Sequence, residues 1–134
     1  MKAYEYHHIV GFEETNLVGN VYYANYILWQ GRCREMFLKD EAPSIINEAL
    51  VTVRVSCDYF SELFAFDQVI IRMGLGEIKQ NRITMVFEYW RATDRGEELV
   101  AKGEQMAACM RREGEKTVST PIPNPLMVAL NQYR

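Results

Sequence analysis

The sequence predicts one α+β domain, a curled antiparallel sheet wrapped around a single long helix, and three observations predict it. The run from Asn20 to Gly31 holds twelve residues without a charge. That is too short for the roughly 20 apolar residues of a membrane span, so protein is expected to enclose it. Four extended segments follow, at residues 51–59, 67–79, 82–93 and 98–111, with turn residues between the later ones as in an antiparallel meander. A length of 134 residues suits one domain with one core, so residues 1–134 are read as a single unit.

Residues 4–12 alternate aromatic and β-branched residues with polar ones, the period of a strand with one face on the core, and Gly11 is placed to bend it. Residues 13–19 read as a loop. Gly19 or Asn20 then opens a helix whose first N–H groups point outward, where they can take an anion. The helix is expected from Val21 to about Lys39. Its first half is apolar on all sides, which argues for enclosure, and charges begin only at Arg32. Ala42-Pro43-Ser44 ends it, and residues 45–50 form a short connector.

In the next segment Val51, Val53, Val55, Cys57 and Tyr59 alternate with Thr52, Arg54, Ser56 and Asp58, a half-buried strand. Gly74, Gly76 and Gly103 inside later strands mark bulges or bends, so the sheet should curl. Beyond Gly114 the composition changes. A Pro-rich extended stretch at 117–125 and a short amphipathic helix at 126–133 read as a tail, residues 114–134, that packs on a neighbour or stays mobile.

The composition, 49% hydrophobic and 25% charged, is that of an ordinary globular chain. A net charge of -3 argues against nucleic-acid binding, which needs a clustered excess of Lys and Arg. No secretory-type apolar stretch opens the chain and no membrane partner is expected, so a cytoplasmic location is read. Cys33, Cys57 and Cys109 are odd in number and widely spaced, which suggests buried free thiols rather than disulfides or a zinc site. Neither a metal nor a cofactor is expected.

Phosphate loops, nucleophile elbows and H-E-x-x-H motifs are all lacking. His7 and His8 are adjacent in a strand and so face opposite ways, which favours structural or surface roles. Asn16 is different, because it lies three positions before a glycine at a helix start, close to the N–H groups of residues 21–23. Such donors stabilise charge developing on an acyl oxygen. The plainer reading is that Asn16 fixes a turn through its own side chain.

The run E-T-N-L-V-G-N-V-Y-Y-A-N-Y-I-L-W-Q-G-R-C-R-E-M-F-L resembles the signature of hotdog-fold acyl thioesterases of the 4-hydroxybenzoyl-CoA type, D-x-D-x-x-G-H-V-x-x-x-x-Y-x-x-W followed by an Arg on the same helix. Thr15, Gly19, Val21, Tyr26, Trp29 and Arg34 match, and the resemblance spans residues 4–112. The departures are specific. The family's second Asp, its nucleophile or base, is here Asn16; its His is Asn20; and a Glu often found after the Trp is Gly31. This pattern resembles the thioesterases of enediyne polyketide biosynthesis. The resemblance implies hydrolysis of a long polyunsaturated β-keto acyl chain, a small-molecule acyl thioester, from the acyl carrier protein domain of an iterative polyketide synthase. It also implies a homo-oligomer, at least a dimer and expected as a tetramer.

An amide is neither nucleophile nor base at neutral pH, and Arg34 is always protonated. The expected mechanism is therefore direct attack by water. Asn16 and Arg34 would hydrogen-bond the substrate or the water, Tyr26 would orient them, and the backbone N–H of Tyr23 would polarise the carbonyl. Gly19 and Asn20 are expected at the substrate as well. Glu13 and Glu14 are the nearby carboxylates, and a structural role is favoured for Glu14 over that of a base. Phe60, Leu63, Phe64 and Phe66 form a segment too apolar for a solvated loop. They read equally as the wall of an acyl channel, with Met73, or as a subunit contact. Arg91, Arg95, Lys102, Arg111, Arg112 and Lys116 read as a solvated face, with docking to an acidic carrier protein as the alternative. The missing carboxylate leaves one rival reading, a catalytically silent acyl-binding or regulatory module.

Overall fold

The computed structural model describes residues 2–134. One long helix, α1 (Ala24–Glu41), packs on a six-stranded antiparallel sheet made of β1 (Tyr4–Ile9), β2 (Ala49–Tyr59), β3 (Gln68–Lys79), β4 (Arg82–Thr93), β5 (Gly96–Glu113) and β6 (Lys116–Ser119), and α2 (Asn124–Asn131) closes the chain. The strand order is β1-β3-β4-β5-β2, with β6 pairing beside β2 on β5. Register shifts leave an extra residue in β2 between Thr52 and Arg54, in β3 between Leu75 and Ile78, and in β5 at Val100, opposite Tyr89 and Trp90 of β4. Extra residues of this kind increase local twist, and the sheet curls into a half-barrel around α1. This is the hotdog fold, in the α+β class.

The core lies where α1 meets the curled sheet. Tyr26, Trp29, Cys33 and Phe37 of α1 are buried against Met73 of β3, Phe87 and Tyr89 of β4 and Ala101 of β5. Gly76 falls at the bulge of β3, as its position suggested. Gly103 does not mark a bulge: a Cβ there would lie 2.3 Å from Gln30 Nε2 and 2.7 Å from the Ser56 carbonyl oxygen. Gln30, wholly buried on α1, donates to that carbonyl at 3.0 Å. The glycine is what lets the helix seat this amide on the sheet.

Four expectations need correction. First, α1 begins at Ala24 rather than Val21. A helix from Val21 would put the Asn25 N–H on the Val21 oxygen, but that N–H bonds to Tyr22 O at 3.0 Å and the Tyr26 N–H to Tyr23 O at 3.3 Å, three-residue turns, while the N–H groups of Val21 and Tyr22 are held by Leu63 O at 2.8 Å and Glu14 O at 3.0 Å. Second, the helix is not enclosed on every side, since Leu28 is 67% exposed. Third, β2 is not half-buried. It pairs only with β5 and leaves its other edge open, and Val51, Val53 and Val55 are each about two-fifths exposed. Fourth, residues 124–133 neither leave the domain nor hang free. Leu126, Ala129, Leu130 and Tyr133 are buried in the chain's own core, and Tyr133 O accepts the Leu75 N–H at 2.7 Å.

The position of β2 explains the apolar segment after it. β2 and β3 are consecutive in sequence but separated by β5 and β4, three strand spacings or about 14 Å. Residues 60–67 make that crossing over the end of the sheet. Phe60 N–H bonds to Val100 O at 2.8 Å and Val21 N–H to Leu63 O, so the segment is tied to the sheet and to the start of α1. Arg91 holds it from below, donating to Glu62 O at 3.0 Å and to Asp67 at 3.4 Å.

Gly103→Ala should lower unfolding free energy by about 1–3 kcal/mol, the usual cost of forcing a methyl into a filled core. Chemical denaturation measures it, and an unchanged midpoint would mean that Gln30 and Ser56 relax freely.

Candidate active site

The loop before α1 is held by one side chain. Glu14 Oε1 accepts from His8 Nε2 at 2.7 Å and from the Gly11 N–H at 2.8 Å, and Oε2 accepts from Trp29 Nε1 at 2.7 Å. Its main-chain oxygen takes the Tyr22 N–H at 3.0 Å and Asn25 Nδ2 at 2.8 Å. Burial pushes the carboxyl pKa up, but the hydrogen bonds from Gly11, His8 and Trp29 outweigh it and hold the group below its ordinary value. A carboxylate serving three donors and held below its ordinary pKa is a weaker proton acceptor than a free one, and these bonds make Glu14 the anchor of the loop. Sequence reasoning missed His8 as its partner. The signal was available in the parity of β1, which turns Tyr4, Tyr6 and His8 to the same face.

Asn16 forms the turn that the plainer reading described: its Oδ1 accepts the Val18 N–H at 3.0 Å, and its main chain closes on Gly19 and Asn20 at 2.9 Å each. Gly19 adopts φ +91°, the left-handed conformation that this turn requires. With Oδ1 occupied, the amide Nδ2 of Asn16 is the end left to face a ligand. Of the three N–H groups expected beside it, those of Val21 and Tyr22 are spent, and no main-chain acceptor among the described residues takes the Tyr23 N–H. Tyr23 N–H is thus a donor left at this end of α1, while Tyr59 Oη donates to the Tyr23 carbonyl at 2.9 Å.

Asn20 turns inward. Its Nδ2 donates to Glu62 Oε1 at 3.0 Å, and its Oδ1 is buried without a hydrogen-bond partner among the described residues. Gln30 Oε1, deeper between helix and sheet, is the other such oxygen. Leaving a buried acceptor unmatched costs about 1–3 kcal/mol.

Tyr26 is 3% exposed and packs edge-on against Tyr59, with ring centroids 4.8 Å apart. Its carbonyl accepts Tyr89 Oη at 2.7 Å, and burial pushes its own phenol up to about 12. It supports the start of α1 as a neutral group. Burial likewise raises the Cys33 thiol to about 12 and Cys57 to about 11, so neither supplies a thiolate.

Arg34 lies on the far half of α1, with Nη1 donating to Gln105 Oε1 at 2.7 Å and to Thr52 Oγ1 at 3.0 Å. Burial lowers its pKa, yet a guanidinium remains charged. It lines an open groove of about 550 Å³ with Leu28, Gly31, Thr52, Val55 and Gln105, which extends past Trp29 to His8 and Glu14. Gly31, standing where the family often has Glu, leaves the groove clear. Thr52 and Gln105 were also missed. Gln105 falls in register with the small inward residues Ala101, Gly103 and Ala107 of β5, and a buried polar residue in such a row has to meet a partner on the helix.

Asn16 and Arg34 do not meet within one chain. From Tyr23 to Arg34 the helix rises about 16 Å, and the two side chains share neither a hydrogen-bond partner nor a groove. The apolar candidates divide as well. Leu63 and Met73 are wholly buried in the core, whereas Phe60, Phe64 and Phe66 are 57%, 43% and 74% exposed.

Among the described residues no helix is long and apolar enough to cross a membrane. The model of the thioesterase-like superfamily matches residues 10–130. No curated protein matches the chain at a significant level of sequence similarity. Among solved structures, the chain is similar to the dynemicin thioesterase, studied for induced-fit and allosteric effects upon polyene binding, with 44% identity over 98% of this chain and 97% of that one and a TM-score of 0.94. It shares its fold with a 1,4-dihydroxy-2-naphthoyl-CoA thioesterase from Synechocystis, at 21% identity over 97% and 96% of the two chains and a TM-score of 0.83. The same fold appears in a mutant 4-hydroxybenzoyl-CoA thioesterase complexed with 4-hydroxybenzoyl-CoA, at 14% identity over 97% and 99% and a TM-score of 0.85. The chain is a thioester hydrolase and belongs to the thioesterase-like superfamily.

Proposed function

We propose that the protein releases a long polyunsaturated β-keto acyl chain from the acyl carrier protein of an iterative enediyne polyketide synthase, by direct attack of water and without a catalytic carboxylate. The observation that carries the mechanism is an amide at position 16 close in sequence to a Glu14 whose carboxylate is committed to His8, Gly11 and Trp29. The likeness to the dynemicin thioesterase, a protein studied for polyene binding, supports the substrate class.

The thioester carbonyl oxygen sits on Tyr23 N–H and Asn16 Nδ2 at the amino end of α1, where the helix dipole favours developing negative charge. Arg34, its Nη1 fixed by Gln105 and Thr52, offers its remaining N–H groups to the β-keto oxygen or to the carboxylate formed. Placement and oxyanion stabilisation supply about 10²–10³ in rate per donor, which suits a slow enzyme.

Because Asn16 and Arg34 lie far apart on one chain, the working site is composite, with Asn16 and Tyr23 from one protomer and Arg34 from its partner. The open edge of β2 and the exposed Val51, Val53, Val55 and Leu28 supply the contact for such a homodimer. Carrier-protein docking falls to cations around the site. Arg91 is excluded from that role, since Asp67 and Glu98 hold it in ion pairs beneath the crossover.

On a panel of pantetheine thioesters followed by mass spectrometry, long conjugated β-keto chains should be hydrolysed fastest, and Asn16→Ala and Arg34→Ala should each lower kcat by about 10²–10³. Retained turnover in both variants would sink the mechanism. Mixing the two inactive variants under subunit exchange should restore about a quarter of wild-type activity, since half the dimers are hybrids carrying one intact site each. No recovery, with exchange verified, would mean that each chain works alone. Gln105→Leu should cost about 1.5–3 kcal/mol in denaturation, because it strips Arg34 of a charge-assisted bond.

A further inference from the structure

We infer that Asn20 Oδ1 is the acceptor that holds the attacking water, and that Glu62, on the crossover from β2 to β3, is the positioning residue that keeps this oxygen turned toward it. The inference rests on the thioesterase mechanism above and assigns the one part that mechanism leaves open, a partner for the nucleophile.

The argument begins with which way the amide faces. A carboxylate only accepts hydrogen bonds, so the group that Asn20 offers Glu62 at 3.0 Å has to be its NH₂. That contact fixes the flip of the amide, and the oxygen is turned into the protein. There it is buried and unpartnered among the described residues. Three positions on, in the same turn of chain, Tyr23 presents an N–H that no main-chain acceptor takes. Thioester hydrolysis by water needs this combination: a donor for the oxygen that gains charge and an acceptor for a proton of the water that attacks. Gln30 Oε1 shares the first property but not the second, since its own neighbours are Ser56 and Gly103 in the packed interface.

In the step itself the water oxygen bonds to the carbonyl carbon, and the π electrons move to the oxygen held by Tyr23 N–H. Collapse breaks the C–S bond. Asn20 Oδ1 accepts a hydrogen bond but not the proton, which passes through solvent to the departing thiolate, so water and thioester give acid and thiol. The carboxylate of Glu62 draws on the amide N–H and makes Oδ1 a stronger acceptor.

Glu62 is well suited to hold a fixed position. Its main-chain oxygen is gripped by Arg91 at 3.0 Å, and its neighbour Leu63 is buried and bonded to Val21. The crossover thereby couples the far edge of the sheet to the turn that opens α1. Sequence reasoning had assigned this segment only to apolar wall or subunit contact.

Four variants, assayed with a pantetheine thioester that the wild type hydrolyses, test the inference. Asn20→Ala should lower kcat at least tenfold with KM changed less than threefold. Glu62→Ala should lower kcat similarly, while Glu62→Gln, which retains an acceptor, should lose distinctly less. The decisive variant is Asn20→Asp combined with Glu62→Gln. It puts a titratable oxygen where the water sits and removes the opposing charge, so its kcat should acquire an acid limb, rising tenfold per pH unit below the new carboxyl's pKa, which the wild type lacks. An unchanged kcat in Asn20→Ala, or a double variant whose kcat follows the wild-type pH profile, overturns the inference. Asn16→Ala run alongside separates the outcomes, because its full activity would instead overturn the mechanism on which the inference rests.

Discussion

Three parts of this molecule meet at the carboxylate of Glu14. Strand β1 reaches it through His8, the loop through the Gly11 amide and the helix through the Trp29 indole, and each bond is between 2.7 and 2.8 Å. The tip of the loop adds little apolar packing, since Leu17 and Val18 are almost fully solvated, so polar contacts hold it: this carboxylate, and the Glu14 main-chain oxygen that takes Tyr22 N–H and Asn25 Nδ2. The carboxylate is strong as a hub because three donors converge on its charge, and the same bonds hold its pKa below the ordinary value and make it a weaker proton acceptor. In the proposed mechanism the group that gives the loop its shape takes no part in the chemistry.

The chemistry that remains is built from neutral groups and one permanent cation. In the proposed mechanism Tyr23 N–H, the amides of Asn16 and Asn20, and Arg34 polarise and orient; none exchanges a proton near neutrality. Burial reinforces this by raising the phenol of Tyr26 and the thiols of Cys33 and Cys57 away from ionisation. A site of this kind acts by placement, so its rate depends on how firmly loops are held.

Much of the fold could be read from the residues, and the misreadings have physical causes. The turns at Lys79-Gln80-Asn81-Arg82 and Asp94-Arg95-Gly96-Glu97 gave the β3-β4-β5 meander because their chemistry is local: Gln80 and Gly96 do adopt positive φ. The place of β2 was not readable, since strand order depends on pairings far apart in sequence. Its valines looked half-buried because alternation reports a face that will be covered, without saying whether the same chain covers it. The start of α1 was placed too early because Val21 and Tyr22 are drawn to Leu63 and Glu14, partners that no local propensity reveals, and the chain enters the helix through three-residue turns at Asn25 and Tyr26. The motif singles out Asn16, Asn20, Tyr26 and Arg34, but the hydrogen-bond partners Glu62 of Asn20 and Thr52 and Gln105 of Arg34 sit on other strands and loops and become visible only when the chain is folded.

The crossover between β2 and β3 also acts as a ruler. Its two ends are set three strands apart by the sheet, and its middle is pinned by Arg91 beneath and by Asn20 and Val21 above. The slack is taken up at Phe66, a bulky residue bent to φ +72°. A chain so constrained cannot absorb a change in its length locally. Among relatives, insertions or deletions in this segment would therefore be transmitted to the turn that opens α1, making its length a measure of active-site geometry.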